Sequence, residues 1–381
     1  MAAEPGGRGS TRPAGRAAGP TAPQAAGPAS GQPDQPPPRP AAAVLAPRGC
    51  PRPLSEAYDV ALLDLDGVVY VGGSAVPGAP EALRDAAARG MRHAFVTNNA
   101  SRSPAAIAAH LTRLGVPATA ADVVTSGQAA ARLLARRLPP GARVLVVGGN
   151  GLRIALRERG LRPVSAFAER PAAVVQGFSP DLSYALLAEG ALAVAGGALF
   201  VAANSDLTLP TPRGAEMGNG SLVQAFAAVA GRPPVVAGKP ELPLHAEAVR
   251  RTGARRPLVV GDRLDTDIEG AVRAGADSLL VLTGVTRPVD VVLAPPRQRP
   301  SYLAAGLAAL LEPQPQVTAA DGGQQCGGWT ARLDPGARRL RLAGSGEPLD
   351  GLRALCAVAW TAGQVSAAMA APALAELGLA G

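Results

Sequence analysis

Asp64 and Asp66 stand two residues apart at the end of the apolar run 60–65, directly before Gly67. Strand alternation puts both carboxylates on the same side of the chain. Two carboxylates that close repel unless one is protonated or a cation lies between them. A second apolar run ends in Gly261, Asp262, Arg263, Leu264, Asp265, Thr266 and Asp267. Asp262 is the first carboxylate after that run, and Asp267 follows near a helix start, where an aspartate also serves as a cap. Three carboxylates at one sheet edge predict a hard cation with oxygen ligands, Mg2+. Thr97, Asn98 and Asn99 supply a hydroxyl, backbone amides and side-chain amides suited to phosphate oxygens. Gly238-Lys239-Pro240 holds the only lysine among 37 basic residues, and only five asparagines occur in the chain. In a chain that otherwise uses arginine, a retained lysine marks a place needing a compact charge, to neutralise a phosphate or an aspartate nucleophile. Alignment plus charge stabilisation is what phosphoryl transfer requires.

These groups meet only if the intervening chain folds to bring them together. After residue 58, short apolar runs alternate with helical patterns, as βαβ units do. Strands are predicted at 60–65, 93–97, 143–147, 173–176, 199–203, 257–260 and 278–282. Helices are predicted at 80–89 and 104–114, the latter with Ser103 as cap and Pro104 in its first turn. The expected class is α/β: a Rossmann-like doubly wound parallel sheet, whose ligands bind at the carboxyl ends of the strands. Diprolines at 139–140 and 233–234 bracket a block with its own strand–helix pattern. The expected division is therefore a core of 58–139 and 234–312, an inserted α/β domain of 140–233, and a small α+β module of 324–381. That module has a predicted strand at 338–342, helices at 349–361 and 364–377, and a core around Trp329 and Trp360. Residues 1–57 are rich in Pro, Gly, Ala and Arg with scarcely an apolar cluster, and read as a disordered tail.

The 381 residues carry a net charge of +8, but without a dense basic run or interleaved aromatics, which argues against nucleic-acid binding. No stretch is long and apolar enough to span a membrane, and no secretory leader pattern opens the chain. Three widely spaced cysteines, Cys50, Cys326 and Cys356, fit neither a disulfide framework nor a zinc site and point to the reducing cytoplasm.

In order, DxDGVxY, TNN, GKP and GDxxxTD resemble the motifs of the haloacid dehalogenase superfamily, specifically its subfamily IIA, with a large α/β cap between the second and third motifs. The resemblance runs over about residues 58–311. Within that group, the segments 203–210 and 218–221 are similar to the glycerol-3-phosphate phosphatases of actinobacteria. The resemblance implies an aspartyl-phosphate mechanism with Asp64 as nucleophile and Asp66 as general acid and then base. It implies Mg2+ on the Asp64 carboxylate, the Asp66 backbone carbonyl and Asp262, with Asp267 one step removed. Thr97 and the Asn98–Asn99 backbone would hold the phosphoryl group, and Lys239 would span phosphate and Asp64. The implied partner is a small phosphorylated metabolite, a polyol phosphate first, in a closed chamber lined by Asn204, Asp206 and Arg213. A homodimer through the cap is left open.

Two other segments invite different readings. Residues 144–151 form a strand followed by the glycine turn Gly148-Gly149-Asn150-Gly151, as in dinucleotide-binding proteins, although Ile154 stands where a third glycine belongs. Arg341, Gly344 and Gly346 fit the R-x-x-G-x-G pattern of acetyltransferases, in a module too short for that whole fold.

Overall fold

The computed structural model describes residues 44–379, apart from 212, 335 and 337. Its central sheet has six parallel strands, in the order Tyr302–Ala304, Asp277–Val281, Pro257–Gly261, Val60–Leu63, Arg92–Thr97 and Val123–Thr125. Strands covered on both faces can be apolar throughout. Val60–Leu63 is accordingly buried at every position. Its register against both neighbours, Leu63 beside Val260 and Phe95, sets the ends of three adjacent strands level. The motifs built on Asp64, Thr97 and Asp262 leave from those three ends.

A second parallel sheet has five strands, in the order Val235–Val236, Leu199–Ala202, Ala173–Gln176, Arg143–Val147 and Arg162–Val164. Val235–Val236 belongs to this sheet although the second diproline precedes it, so the inserted layer reaches past residue 233. Proline lacks an N–H and is tolerated just before an edge strand, so it marks the strand's start and not the domain's end. The helix Ser126–Ala135 joins the layers. Its first turn is closed by a capping box in which Thr125 and Gln128 exchange hydrogen bonds. Its buried Ala129, Ala130 and Leu134 share one apolar cluster with Leu152 and Leu156 of the helix Asn150–Glu158.

Residues 44–57 depart from the expected tail. Leu54 is fully buried in the core, Cys50 pairs with Gln314, and the Arg48 N–H donates to the Ser301 carbonyl. One buried leucine and the edge of a neighbouring segment anchor a stretch whose composition alone shows no apolar cluster. The remainder of the expected tail, 1–43, lies outside the described residues.

At the carboxyl end, Thr318–Ala320, Gly323–Cys326, Trp329–Asp334 and Arg339–Gly344 form a four-stranded antiparallel sheet. The helix Pro348–Ala362 is buried from Gly351 to Trp360. Its Arg353 donates to the Leu303 carbonyl, and Trp360 Nε1 donates to the Val291 carbonyl at 3.0 Å. Trp360 thus packs where the module meets the central sheet, while Trp329 is only half-buried. Among the described residues, no helix is long and apolar enough to cross a membrane.

Candidate active site

The Asp64 carboxylate is 13 % exposed and faces Lys239, whose Nζ lies 2.5 Å from Asp64 Oδ1 and 2.7 Å from Asp267 Oδ1. Nζ also donates to the Val96 carbonyl at 3.1 Å, which uses the three protons of the ammonium. Burial disfavours the charge of Lys239, but Asp267 and Asp64 outweigh that and hold its pKa above the usual value. Asp64 is pushed well above the usual carboxylate range by burial, opposed by Lys239 and reinforced by Asp267 and Asp262.

The turn Leu264–Ile268 closes with a wide π-type geometry, in which the N–H groups of Asp267 and Ile268 both reach the Arg263 carbonyl. Such widened turns concentrate at functional sites. This one points Asp267 back at Lys239, and Asp267 Oδ2 accepts the Arg263 N–H. Both Asp267 oxygens are therefore engaged. Asp262 differs: Oδ2 accepts the Val285 N–H at 2.7 Å, while the buried Oδ1 has no hydrogen-bond partner. Burial and Asp267 raise its pKa to about 6. Gly67, with φ of +82°, passes so close that a Cβ there would lie 2.5 Å from Asp262 Oδ2. That contact explains why glycine follows the two aspartates.

Carboxylate oxygens of Asp64, Asp262 and Asp267 lie within 4.8 Å of one another. Three carboxylates against one ammonium leave two negative charges uncompensated when all are ionised. That surplus, the oxygen donor set and the orphaned Asp262 Oδ1 fit a small divalent cation. The Asp66 carboxylate is not part of this cluster. It accepts the Tyr70 hydroxyl at 3.4 Å, and burial raises its pKa.

Thr97 is buried, and its Oγ1 accepts the Asn99 N–H at 3.1 Å. The whole side-chain amide of Asn98 and the side-chain oxygen of Asn99 are already engaged within the chain. Asn99 Oδ1 accepts the N–H groups of Ser101 and Arg102 and closes the turn. Asn98 Oδ1 accepts the Lys239 N–H at 2.8 Å, and its Nδ2 donates to the Lys239 carbonyl and to Asp206. From the second sheet, Asn204 Nδ2 donates to the Asn98 carbonyl at 2.7 Å. Asn204 and Asp206 therefore reach the site, whereas Arg213 is exposed at the tip of the hairpin formed by Thr208–Thr211 and Gly214–Met217. Sequence reasoning missed Ser126, whose Oγ donates to the Asn98 carbonyl; as the residue opening a capped helix, it carries no signal of that contact.

The glycine turn at 148–151 is filled by the chain itself. Gly151 N–H donates to the Ser101 carbonyl, and a Cβ on Gly151 would lie 2.6 Å from the carbonyls of Ala100 and Arg102. The glycines let the two layers touch, and a pyrophosphate has no room there. In the terminal module, Arg341 is paired with Asp334 across its hairpin.

A family model described as haloacid dehalogenase-like hydrolase matches residues 61–162, and a second hydrolase model of the same type matches 236–310. A model for a GCN5-related N-acetyltransferase-like domain matches 326–379. The chain is 52 % identical over 257 residues to a D-glycerol 3-phosphate phosphatase of Mycobacterium tuberculosis, covering 68 % of this chain and 72 % of that one. It is 39 % identical over 232 residues to a 5'-nucleotidase of Bacillus subtilis, covering 60 % and 89 %. A glycerol phosphate phosphatase of Mycobacterium tuberculosis, solved in complex with magnesium, superposes with a TM-score of 0.79 at 44 % identity, covering 86 % of this chain and 99 % of that one.

Proposed function

The chain belongs to the haloacid dehalogenase-like hydrolases and is a phosphatase of that family, and we propose that its substrate is glycerol 3-phosphate. The observation that carries the chemistry is the buried Lys239 ammonium shared by Asp64 and Asp267, beside the orphaned oxygen of Asp262. The substrate follows from the relative named for that activity. Polar groups of the inserted layer, Asn204 and Asp206, reach Asn98 at the same strand end, which is consistent with a hydroxyl-rich leaving group.

In this reading Asp64 is the nucleophile. Its carboxylate is the most exposed member of the cluster, and it attacks phosphorus to form an aspartyl-phosphate that water then hydrolyses. Lys239 stays charged throughout and neutralises phosphoryl oxygens, with Asp267 holding it in place. Asp66, outside the charged cluster and raised in pKa by burial, protonates the leaving alkoxide and then deprotonates the hydrolytic water. Thr97 and the Asn98–Asn99 backbone bind the phosphoryl group. Asp64, Asp262 and the Asp66 backbone carbonyl would hold Mg2+, which when bound would offset the clustered negative charge of carboxylates and phosphate. The five-stranded layer acts as the cap that closes over the sheet edge.

The protein is expected to act on small phosphorylated molecules in the cytoplasm, as a monomer or as a homodimer through the cap. Phosphate release is measured with glycerol 3-phosphate, sugar phosphates, pyridoxal phosphate and nucleoside monophosphates, with Mg2+ and with chelator. The highest kcat/KM is expected for glycerol 3-phosphate, and chelator abolishes turnover. A nucleotide or pyridoxal phosphate ahead by more than about tenfold overturns the substrate and leaves the phosphatase chemistry standing.

A further inference from the structure

Outside the active site, one buried carboxylate gathers four arginines. The Glu247 side chain is fully buried, and Arg159 Nη2 and Arg250 Nη2 each lie 2.8 Å from its Oε1. Arg251 Nε is 3.2 Å from the same oxygen, and Arg132 Nε is 3.3 Å from Oε2. Burial disfavours the charge of Glu247, but Arg250, Arg159 and Arg132 outweigh it and hold its pKa below the usual carboxylate range. The carboxylate is therefore ionised, and it is the one acid that meets Arg132, Arg159 and Arg250 among the described residues.

The cluster forms where three helices end together. Arg132 lies in the last turn of Ser126–Ala135, Arg159 caps the end of Asn150–Glu158, and Arg250 and Arg251 lie in the last turn of Leu242–Thr252. Cations at a helix C-terminus answer the partial negative charge there, and that explains part of the gathering. It does not explain all of it. Four guanidinium groups against one carboxylate leave three positive charges, and three helix ends at about half a negative charge each return only about one and a half. Arg136, one helical turn beyond Arg132, adds to the surplus. Burial lowers the pKa of Arg132; Glu247 opposes this, and Arg250, Arg159 and Arg136 reinforce it.

Donor groups show the same excess. A guanidinium carries five N–H donors in a planar fork that matches an oxyanion. Arg251 directs its Nη1 to the Val123 carbonyl and to Gln128, so it is engaged on both sides. Arg132 meets Glu247 through Nε, Arg159 through Nη2, and Arg250 through Nε and Nη2. Each of these three keeps its Nη1 group without an acceptor among the described residues. Their side chains are 35 %, 28 % and 44 % exposed, so an ion from solvent can reach them.

We propose that Arg132, Arg159 and Arg250 bind a divalent tetrahedral oxyanion, inorganic phosphate or sulfate. Arg159 comes from the inserted layer, and Arg132 and Arg250 come from helices of the central layer, so the bound ion bridges the two.

Equilibrium dialysis of the full chain against labelled inorganic phosphate tests this, at low ionic strength and with chelator present so that no metal ion recruits phosphate at Asp64. Saturable binding with a Kd below about 1 mM is expected, displaced by sulfate and not by acetate at the same concentration. The double variant Arg132→Gln/Arg250→Gln leaves Arg159 and Arg251 on Glu247, so the buried carboxylate stays paired and the chain folds. It is expected to bind phosphate at least about tenfold more weakly, because two charged donors are gone. Arg132→Lys/Arg250→Lys keeps the charge and is expected to recover part of that loss. Absence of saturable binding overturns the proposal, as does acetate that displaces phosphate as well as sulfate does. Unchanged affinity in the glutamine variant also overturns it and would move the phosphate to the active site. Binding is read without turnover, so failure here leaves the phosphatase reading untouched.

Discussion

Asn98 Nδ2, at the end of a central strand, lies 3.1 Å from each carboxylate oxygen of Asp206, which comes from the inserted layer. The same asparagine accepts the backbone N–H of Lys239. One side chain thus ties the inserted layer to the loop that aims the ammonium at Asp64. Asp206→Ala removes the acceptor, whereas Asp206→Asn keeps an oxygen for Asn98. We expect kcat/KM to fall at least tenfold for the alanine variant and clearly less for the asparagine variant. Steady-state kinetics of the pair decide it; equal losses would mean that the charge of Asp206, not its contact with Asn98, is what matters.

Asp64→Asn should lose turnover by at least about a thousandfold, since no other group offers a covalent route. Its stability should move the other way. A carboxylate whose pKa is raised in the folded state is disfavoured there when charged, so a neutral isostere relieves the fold. Without Mg2+ the variant should melt higher than wild type. Residual activity within tenfold of wild type would remove Asp64 as the nucleophile.

Asp66→Asn should be severe for glycerol 3-phosphate and milder for 4-nitrophenyl phosphate, whose leaving group needs little protonation. Comparison of kcat on the two substrates checks the assignment, and equal losses count against a proton-transfer role.

Leu54→Ala tests the packing of residues 44–57. A fully buried leucine truncated in a core costs about 2–5 kcal/mol. Urea unfolding should show a loss in that range; a loss below about 0.5 kcal/mol, the scale of a surface substitution, would place Leu54 outside the core.

Buried, neutral His245 makes stability depend on pH. Its folded pKa is depressed to about 4, while the unfolded side chain titrates near 6.5. The unfolded state therefore takes up a proton first, and stability is lost as pH falls from about 6.5 towards 4. At pH 5 the loss from this group is about 2 kcal/mol. His245→Leu should narrow the difference in unfolding free energy between pH 7 and pH 5 by about that amount, measured by urea titration at both values.

The local chemistry was legible along the chain because each motif is short and closes a strand. Asp64, Thr97 and Asp262 could be read as neighbours, since parallel strands of one sheet end at one edge. The lone lysine could be singled out because every other cation is arginine. Composition misled where few residues anchor a segment: the buried Leu54, the Cys50–Gln314 pairing and the Arg48–Ser301 bond hold a stretch that reads as disordered. The glycine turn at 148–151 resembled a nucleotide site because close chain packing and phosphate binding both require a missing Cβ.

The sequence alone therefore determined the α/β class and the phosphatase chemistry and singled out the motif residues as candidates, all from residue type and short spacing. Only the tertiary structure decided how their polar atoms are shared. It put Asp267 on Lys239, left Asp262 Oδ1 open, and committed the Asn98 side chain to Asp206 and the Lys239 backbone. These contacts cross 28 to 141 residues of sequence. Which donor meets which acceptor depends on strand register and on how one layer packs against the other, and no local pattern encodes either.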